Sequence, residues 1–187
     1  PEEAYYGVQA LRAKENFPIT HQQLHPEFIK SMAKIKKAAA ITNRDAGLLP
    51  LNIASAIMKA CDDLIAGKFT DAFIVDAIQG GAGTSANMNA NEVIANRAIE
   101  ILGGTKGDYS LVHPNDHVNM AQSTNDIIPS AGKLTAITLL GDTIKELRRL
   151  YEALMDKAEE FDPILKMGRT QLQDAVPMRL GQSFHAY

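Results

Sequence analysis

The sequence is poor in several residues that mark particular classes of protein. Its 187 residues include one cysteine, Cys61, and no tryptophan. A single cysteine cannot form an intramolecular disulfide, so a disulfide-stapled domain is excluded and a reducing compartment is favoured. We expect Cys61 to be a small apolar residue on a helix.

Long apolar runs and basic clusters are also missing. No stretch reaches the roughly 18 consecutive apolar residues that a membrane span requires. The net charge is −3, and the densest basic group, Lys34, Lys36 and Lys37, is predicted to be a solvated helix face. We therefore expect neither a membrane nor a nucleic acid as partner.

The two ends of the sequence carry further expectations. The chain opens with Pro1-Glu2-Glu3 and shows no signal peptide, so a cytoplasmic protein is expected. It starts without a methionine and stops at Tyr187 inside a periodic pattern. We therefore expect it to be a piece of a longer protein.

Apolar residues spaced three and four apart predict most of the secondary structure. This spacing predicts one helix from Pro26 to Gly47 and a second from Pro50 to Gly67, joined as a hairpin. Residues 1–25 show no sustained period and are predicted to be an extended or short-stranded arm. Residues 164–177 are predicted to be irregular or a hairpin, and a further helix is predicted from Met178.

The longest regular pattern is a run of heptads in which Leu140, Ile144, Leu147 and Tyr151 take part. It predicts a helix over residues 129–162 that is roughly 50 Å long at 1.5 Å per residue. Such a helix cannot bury its apolar seam alone. A bundle completed by further chain or by other subunits is therefore expected.

A glycine-rich stretch, residues 79–86, precedes a predicted helix that closes at Gly103-Gly104. It lacks the lysine of a phosphate-binding loop. Gly81, Gly83 and Ala86 match the dinucleotide fingerprint formally, but the nearest acidic residue, Glu100, lies inside the helix, so nucleotide binding is only an alternative. Within this helix, Asn87 and Asn91 share a face that is predicted to be polar, buried and satisfied by a neighbour.

Residues 113–126 contain no Lys or Arg, although almost every side chain can form hydrogen bonds. Such a run suits a small polar ligand. Its end, residues 123–126, has cap-type residues at the start of the long helix, where a helix N-terminus favours an anion. His113 and His117 resemble metal ligands in spacing, but Pro114 argues against a helix there and a third ligand is missing, so no metal is expected.

Three segments together resemble the aspartase/fumarase superfamily: residues 81–92, residues 113–126 and residues 168–177. The resemblance covers essentially the whole chain. It implies a mainly α fold, with an N-terminal helical lyase domain over residues 1–127. Residues 128–187 are then the start of a central helical-bundle domain, which opens with its first long helix, and minor short strands are implied as well. It also implies a homotetramer whose active sites combine segments of several subunits.

The resemblance further implies a reaction, in which a base removes a proton beside one carboxylate of L-aspartate and ammonia leaves to give fumarate. No cofactor is implied. The substrate-binding residues carried over from the family are Thr84, Ser123, Thr124 and Asn125, with Thr170 and Gln171 supplied by another subunit. His113, Pro114, Asn115 and Asp116 resemble a secondary carboxylate site of fumarases.

Two departures from the family pattern refine this expectation. Fumarases usually carry His at the position of Gln171 and Ser at that of Thr124, so these residues, with Glu15-Asn16-Phe17, favour the aspartases. The family's catalytic base is a serine in a Gly-Ser-Ser loop, and no Ser-Ser pair occurs here. No catalytic residue is therefore expected in this chain, which should be inactive alone. The alternatives are a fumarate hydratase acting on malate and a non-catalytic helical assembly module.

Overall fold

Residues 3–187 are described by a computed structural model, and they form a mainly α structure, as predicted. The helices and strands are α1 (Val8–Asn16), α2 (Pro26–Asp45), α3 (Leu51–Ile65), α4 (Thr84–Ile101), α5 (Thr124–Glu160), β1 (Leu165–Thr170), β2 (Gln173–Arg179) and α6 (Leu180–Ala186). None of the helices within these residues combines the length and apolarity needed to cross a membrane.

Contacts divide the chain into two compact units, one ending at Thr138 and the other beginning at Leu139. Both this position and the domain boundary predicted after residue 127 lie inside α5. The predicted boundary stays a prediction.

The core of the first unit is formed by α2, α3 and α4 with the first turns of α5. Both predicted helices of the hairpin are confirmed, and Gly47 follows α2 with a φ of +73°. Large aliphatic side chains from each helix are fully buried, and burying one of them contributes about 1.5–3 kcal/mol. They include Ile29, Met32, Ile57, Leu64, Val93, Ile94, Ile99 and Ile127.

The extended arm predicted for residues 1–25 is wrong at Val8–Asn16, which form α1. This helix buries only two small side chains, Ala10 and Ala13, and therefore shows no apolar stripe in the sequence. Its N-terminus is instead held by the buried carboxylate of Glu92, which accepts the backbone N–H groups of Gly7 at 2.9 Å, Gln9 at 2.9 Å and Ala10 at 3.0 Å. A contact between residues so distant in sequence is invisible to a local pattern.

The long helix begins at Thr124, whereas Pro129 was the predicted start. The earlier start has a local cause. Ser123 caps the helix, because its Oγ accepts the N–H of Asn125 at 3.2 Å. The carboxylate of Asp126 accepts the N–H of Ser123 at 3.0 Å. Together, these two contacts give partners to two backbone amides that a helix N-terminus would otherwise leave unpaired, and they allow the helix to begin before Pro129.

In the second unit, β1 and β2 form an antiparallel hairpin, and α6 follows directly, starting at Leu180 where the sequence predicted Met178. The predicted excursion of residues 164–177 is therefore a hairpin. Its turn residues Gln171 and Leu172 both have positive φ, at 49° and 63°. A two-residue turn with left-handed backbone at both positions matches the twist of the strands, although Asn and Gly are its usual residues.

Loss of the Glu92 charge is expected to loosen α1. In Glu92→Gln, an amide replaces a carboxylate that accepts three backbone N–H groups, and charge-assisted hydrogen bonds are the stronger kind. Hydrogen exchange of the complete protein should become roughly tenfold faster at Gln9 and Ala10, which is about 1.4 kcal/mol. Glu100→Gln, an exposed carboxylate on the same helix, is the control. Unchanged exchange in Glu92→Gln would contradict this account of α1.

Cys61 is expected to be unreactive in the folded protein. It lies on α3 with 0% of its surface exposed, as the sequence predicted, and burial raises the pKa of its thiol to about 12. Peptide mass spectrometry after iodoacetamide treatment should find Cys61 unmodified in the folded complete protein and modified after unfolding in guanidinium. Equal labelling of the folded and unfolded states would show that the site is accessible.

Candidate functional site

The N-terminal ends of α4 and α5 lie side by side in the first unit. Gly83, which precedes α4, has a φ of +88°, and a Cβ at this position would lie 2.8 Å from the side chain of Ile128. Across the same contact, Asn87 Nδ2 donates to Thr124 Oγ1 at 3.2 Å. Two helix N-termini, each the positive end of a helix dipole, are thus close together, which favours an anion.

The glycine-rich stretch turns tightly into α4. Gly81, Ala82 and Gly83 all have positive φ. Thr84 is exposed, and its hydroxyl donates to the carbonyl of Gly81 at 2.6 Å. The alternative of nucleotide binding finds no support here, because residues 73–75 form no strand before the turn.

The start of α5 presents hydroxyl and amide groups at the surface. Ser123 and Asn125 are exposed, and Thr124 is half-buried. In its role as cap, Ser123 Oγ accepts a hydrogen bond, so its own proton stays available to a ligand. The capping role and a binding role are therefore compatible in the same side chain.

Sequence reasoning placed Lys36 on a solvated face with Lys34 and Lys37, and this prediction is wrong for Lys36. Its side chain is 0% exposed. Lys36 Nζ lies 3.2 Å from both Asn119 Oδ1 and Gln122 Oε1, in the segment that leads to Ser123. Burial lowers the pKa of Lys36 to about 7.

A signal for this burial was present in the sequence. The apolar residues Met32, Ala33 and Ala40, spaced three or four positions from Lys36, are all buried on α2. The position of Lys36 relative to them was a better guide than its charge.

The amide-rich face of α4 is buried, as predicted, but it is not fully satisfied. Asn87 and Asn91 are 2% and 0% exposed, and the Oδ1 atom of each has no hydrogen-bond partner within the described structure. Asn91 Nδ2 reaches only Met88 Sδ at 3.6 Å. Within the described chain, neighbours satisfy the NH2 groups of both side chains but not their oxygens.

The segment after His113 forms one π-helical turn, Pro114–Val118, so the expectation that Pro114 disfavours a helix here is wrong. Proline is tolerated at a first helical position because its missing N–H would have no partner there. His113 Nδ1 accepts the N–H groups of Asn115 and Asp116 at 3.2 Å, and His117 Nδ1 accepts that of His113 at 2.9 Å. Over residues 3–187, no three His, Cys, Asp or Glu side chains are grouped as metal ligands.

Thr170 and Gln171 lie far along the sequence from Thr84 and the start of α5. They are at the tip of the hairpin in the second unit, and both are exposed. The left-handed backbone of Gln171, like that of Leu172, is the conformation that a two-residue hairpin turn requires.

Comparison with known proteins identifies the family. Residues 1–187 match the family described as lyase. An aspartate ammonia-lyase of Bacillus sp is 56% identical over 187 residues, which are 100% of this chain and 40% of that relative. The chain belongs to the lyase family. It spans about 40% of the length of the curated relatives that it matches.

Solved structures of the family agree with the fold. A fumarate lyase:delta crystallin from Brucella melitensis bound to cobalt is 51% identical, with a TM-score of 0.91, covering 100% of this chain and 41% of its own. A class II fumarase from Schistosoma mansoni is 39% identical, with a TM-score of 0.88, covering 100% of this chain and 40% of its own. The lyase fold of this chain is thus shared with enzymes that carry different names.

Proposed function

We propose that this chain is the N-terminal part of an aspartate ammonia-lyase, which reversibly eliminates ammonia from L-aspartate to give fumarate. Relatives with this name are 50–56% identical to the whole chain. The structural observation that carries the proposal is the junction of the two helix N-termini, where Asn87 Nδ2 meets Thr124 Oγ1 at 3.2 Å. Neutral hydroxyl and amide side chains begin both helices, and groups of this kind suit a carboxylate whose negative charge grows during the reaction.

In this proposal, Thr84, Ser123, Thr124 and Asn125 bind the carboxylate and amino groups of the substrate. Thr170 and Gln171 of another subunit contact the substrate from the opposite side. The catalytic serine lies outside this chain, which is inactive alone, and the reaction needs no cofactor.

The segment of His113, Pro114, Asn115 and Asp116 is proposed as a secondary carboxylate site. The side chains of Asn115 and Asp116 are exposed, and their backbone N–H groups are held by His113. The complete protein is further proposed to be cytoplasmic, with a small-molecule substrate and no membrane or nucleic-acid partner.

The second candidate is fumarate hydratase, and the similarity to the Schistosoma fumarase favours it. The two are separated by following fumarate formation from L-aspartate and from L-malate by ultraviolet absorbance with the complete protein. Fumarate from L-aspartate alone is expected, because Gln171 and Thr124 resemble the aspartases. Fumarate from L-malate alone would establish the hydratase. If neither substrate gave fumarate, the assembly module would be favoured.

Removing the hydroxyl of Ser123 is expected to slow the reaction. Ser123→Ala in the complete protein should lower kcat at least about tenfold without dissociating the oligomer, since one donor to the developing charge is lost. Ser123→Gly separates the two roles of this residue, because glycine is accepted at a helix cap but has no hydroxyl. Both variants should lose activity, whereas Ser130→Ala, on the exposed surface of α5, should not. Normal turnover in Ser123→Gly would leave Ser123 only a capping role.

The homotetramer is proposed from the exposed apolar face of α5. Ile144, Leu147 and Tyr151 are 46%, 58% and 63% exposed in the described chain, which is costly for large apolar side chains unless another subunit covers them. Analytical ultracentrifugation of the complete protein should show a tetramer that Leu147→Glu dissociates. Arg149→Glu, on a different face of the helix, should leave it intact. A monomeric parent protein would contradict the proposal.

A further inference from the structure

Lys36 is an unusual residue to find inside the first unit. Its amine can carry a charge although the side chain has no exposed surface, and within residues 3–187 no carboxylate lies at ion-pair distance from its Nζ. A buried cation with only neutral partners lowers stability compared with an apolar side chain of similar size. Its partners therefore indicate what it does.

In its protonated form Lys36 has three N–H donors and no acceptor, so a neighbouring amide must turn its oxygen towards it. Asn119 and Gln122 both do so, each at 3.2 Å. Their NH2 groups then face backbone carbonyls. Asn119 Nδ2 donates to Gln122 O at 3.0 Å, and Gln122 Nε2 donates to Val118 O at 2.9 Å. Rotating either amide by half a turn would place its NH2 group against the ammonium.

The orientation of Asn119 is passed on to Thr124. Asn119 Oδ1 also accepts a hydrogen bond from Asn87 Nδ2 at 3.2 Å, and Asn87 Nδ2 reaches Thr124 Oγ1 at 3.2 Å. Because the oxygen of Thr124 is an acceptor for Asn87, the hydroxyl proton of Thr124 is left to point away from α4.

We propose that Lys36 is a positioning residue for the site, acting through Asn119 and Asn87 to aim the hydroxyl proton of Thr124 at the substrate carboxylate. This inference rests on the proposed function, from which the role of Thr124 is taken. Lys36 does not touch the substrate. Its neutral partners fit this role, since a carboxylate at position 119 or 122 would place a negative charge beside the anion site.

The test is a double-mutant cycle in the complete protein, with kcat/KM as the readout. Lys36→Met removes the donors and keeps the length of the side chain, and Thr124→Val removes the hydroxyl and keeps its shape. Each single variant should lower kcat/KM at least about tenfold. The double variant should be no slower than Thr124→Val within about twofold, because Lys36 acts only through Thr124.

The matched control is Lys37→Met, the next residue on α2, whose Nζ pairs with Asp62 at 2.6 Å outside the network. It should keep kcat/KM within about twofold of the parent protein. If Lys36 had a purely structural role, the fold-losses in kcat/KM of Lys36→Met and Thr124→Val would multiply in the double variant. That result, or normal kcat/KM in Lys36→Met, would overturn the proposal.

Two further measurements keep the test decisive. If Lys36→Met does not yield folded protein, Asn87→Leu breaks the same link one step closer to Thr124 and should show the same lack of additivity. The cycle is run with whichever of L-aspartate and L-malate the parent protein converts. A malate-specific parent would thus contradict the proposed function while the cycle still decides the role of Lys36. If neither is converted, hydrogen exchange of residues 119–126 replaces kcat/KM, and exchange unchanged in Lys36→Met would overturn the proposal.

Discussion

The first unit depends on hydrogen bonds from buried polar side chains of α4 to backbone groups elsewhere. Asn89 accepts the N–H of Ile74 and donates to the carbonyl of Ala72, and Asn96 donates to the carbonyl of Tyr5 and accepts the N–H of Gly107. Glu92 binds the first amides of α1 in the same way. These segments form no regular helix or sheet, so without such side chains they would bury unpaired backbone N–H and C=O groups.

The same constraint explains why α4 is rich in asparagine although asparagine is a poor helix former. An amide carries both a donor and an acceptor, so one side chain can satisfy an N–H and a C=O of a neighbouring irregular segment. Asn89 and Asn96 use both groups. Asn87 directs its NH2 group to the start of α5 and leaves its oxygen without a partner in the described chain. The α4 face beside the candidate site is therefore less completely paired than the face beside α1.

How far the fold follows from the sequence depends on the range of the contacts. Helices α2 and α3 and most of α5 bury apolar residues at helical spacing, so a local pattern predicts them. Helix α1 is held by Glu92 from a distant part of the chain, and no local window contains that information. Lys36 was misplaced for a related reason: its charge predicted exposure, whereas its register on α2 placed it in the core.

The candidate site likewise combines local features, which the sequence predicts, with contacts between distant segments, which it does not. Capping by Ser123 and the glycine turn before Thr84 are local features that the sequence reveals, whereas the contact between Asn87 and Thr124 exists only once α4 and α5 pack together. The family resemblance suggests the roles that are proposed for individual residues. It did not supply the hydrogen-bond directions, which follow from the donors and acceptors of the neighbouring side chains.

Neutral donors at the starts of α4 and α5 suit the proposed elimination. Hydroxyl and amide donors fixed in place gain most as charge develops on the carboxylate, since they need no reorganisation. In the proposed arrangement, Lys36 acts through Asn119 and Asn87 and sets the direction of these donors without contacting the substrate. Burying Lys36 among amides lowers the stability of the fold, and in return the neutral donors of the proposed site are held in fixed directions.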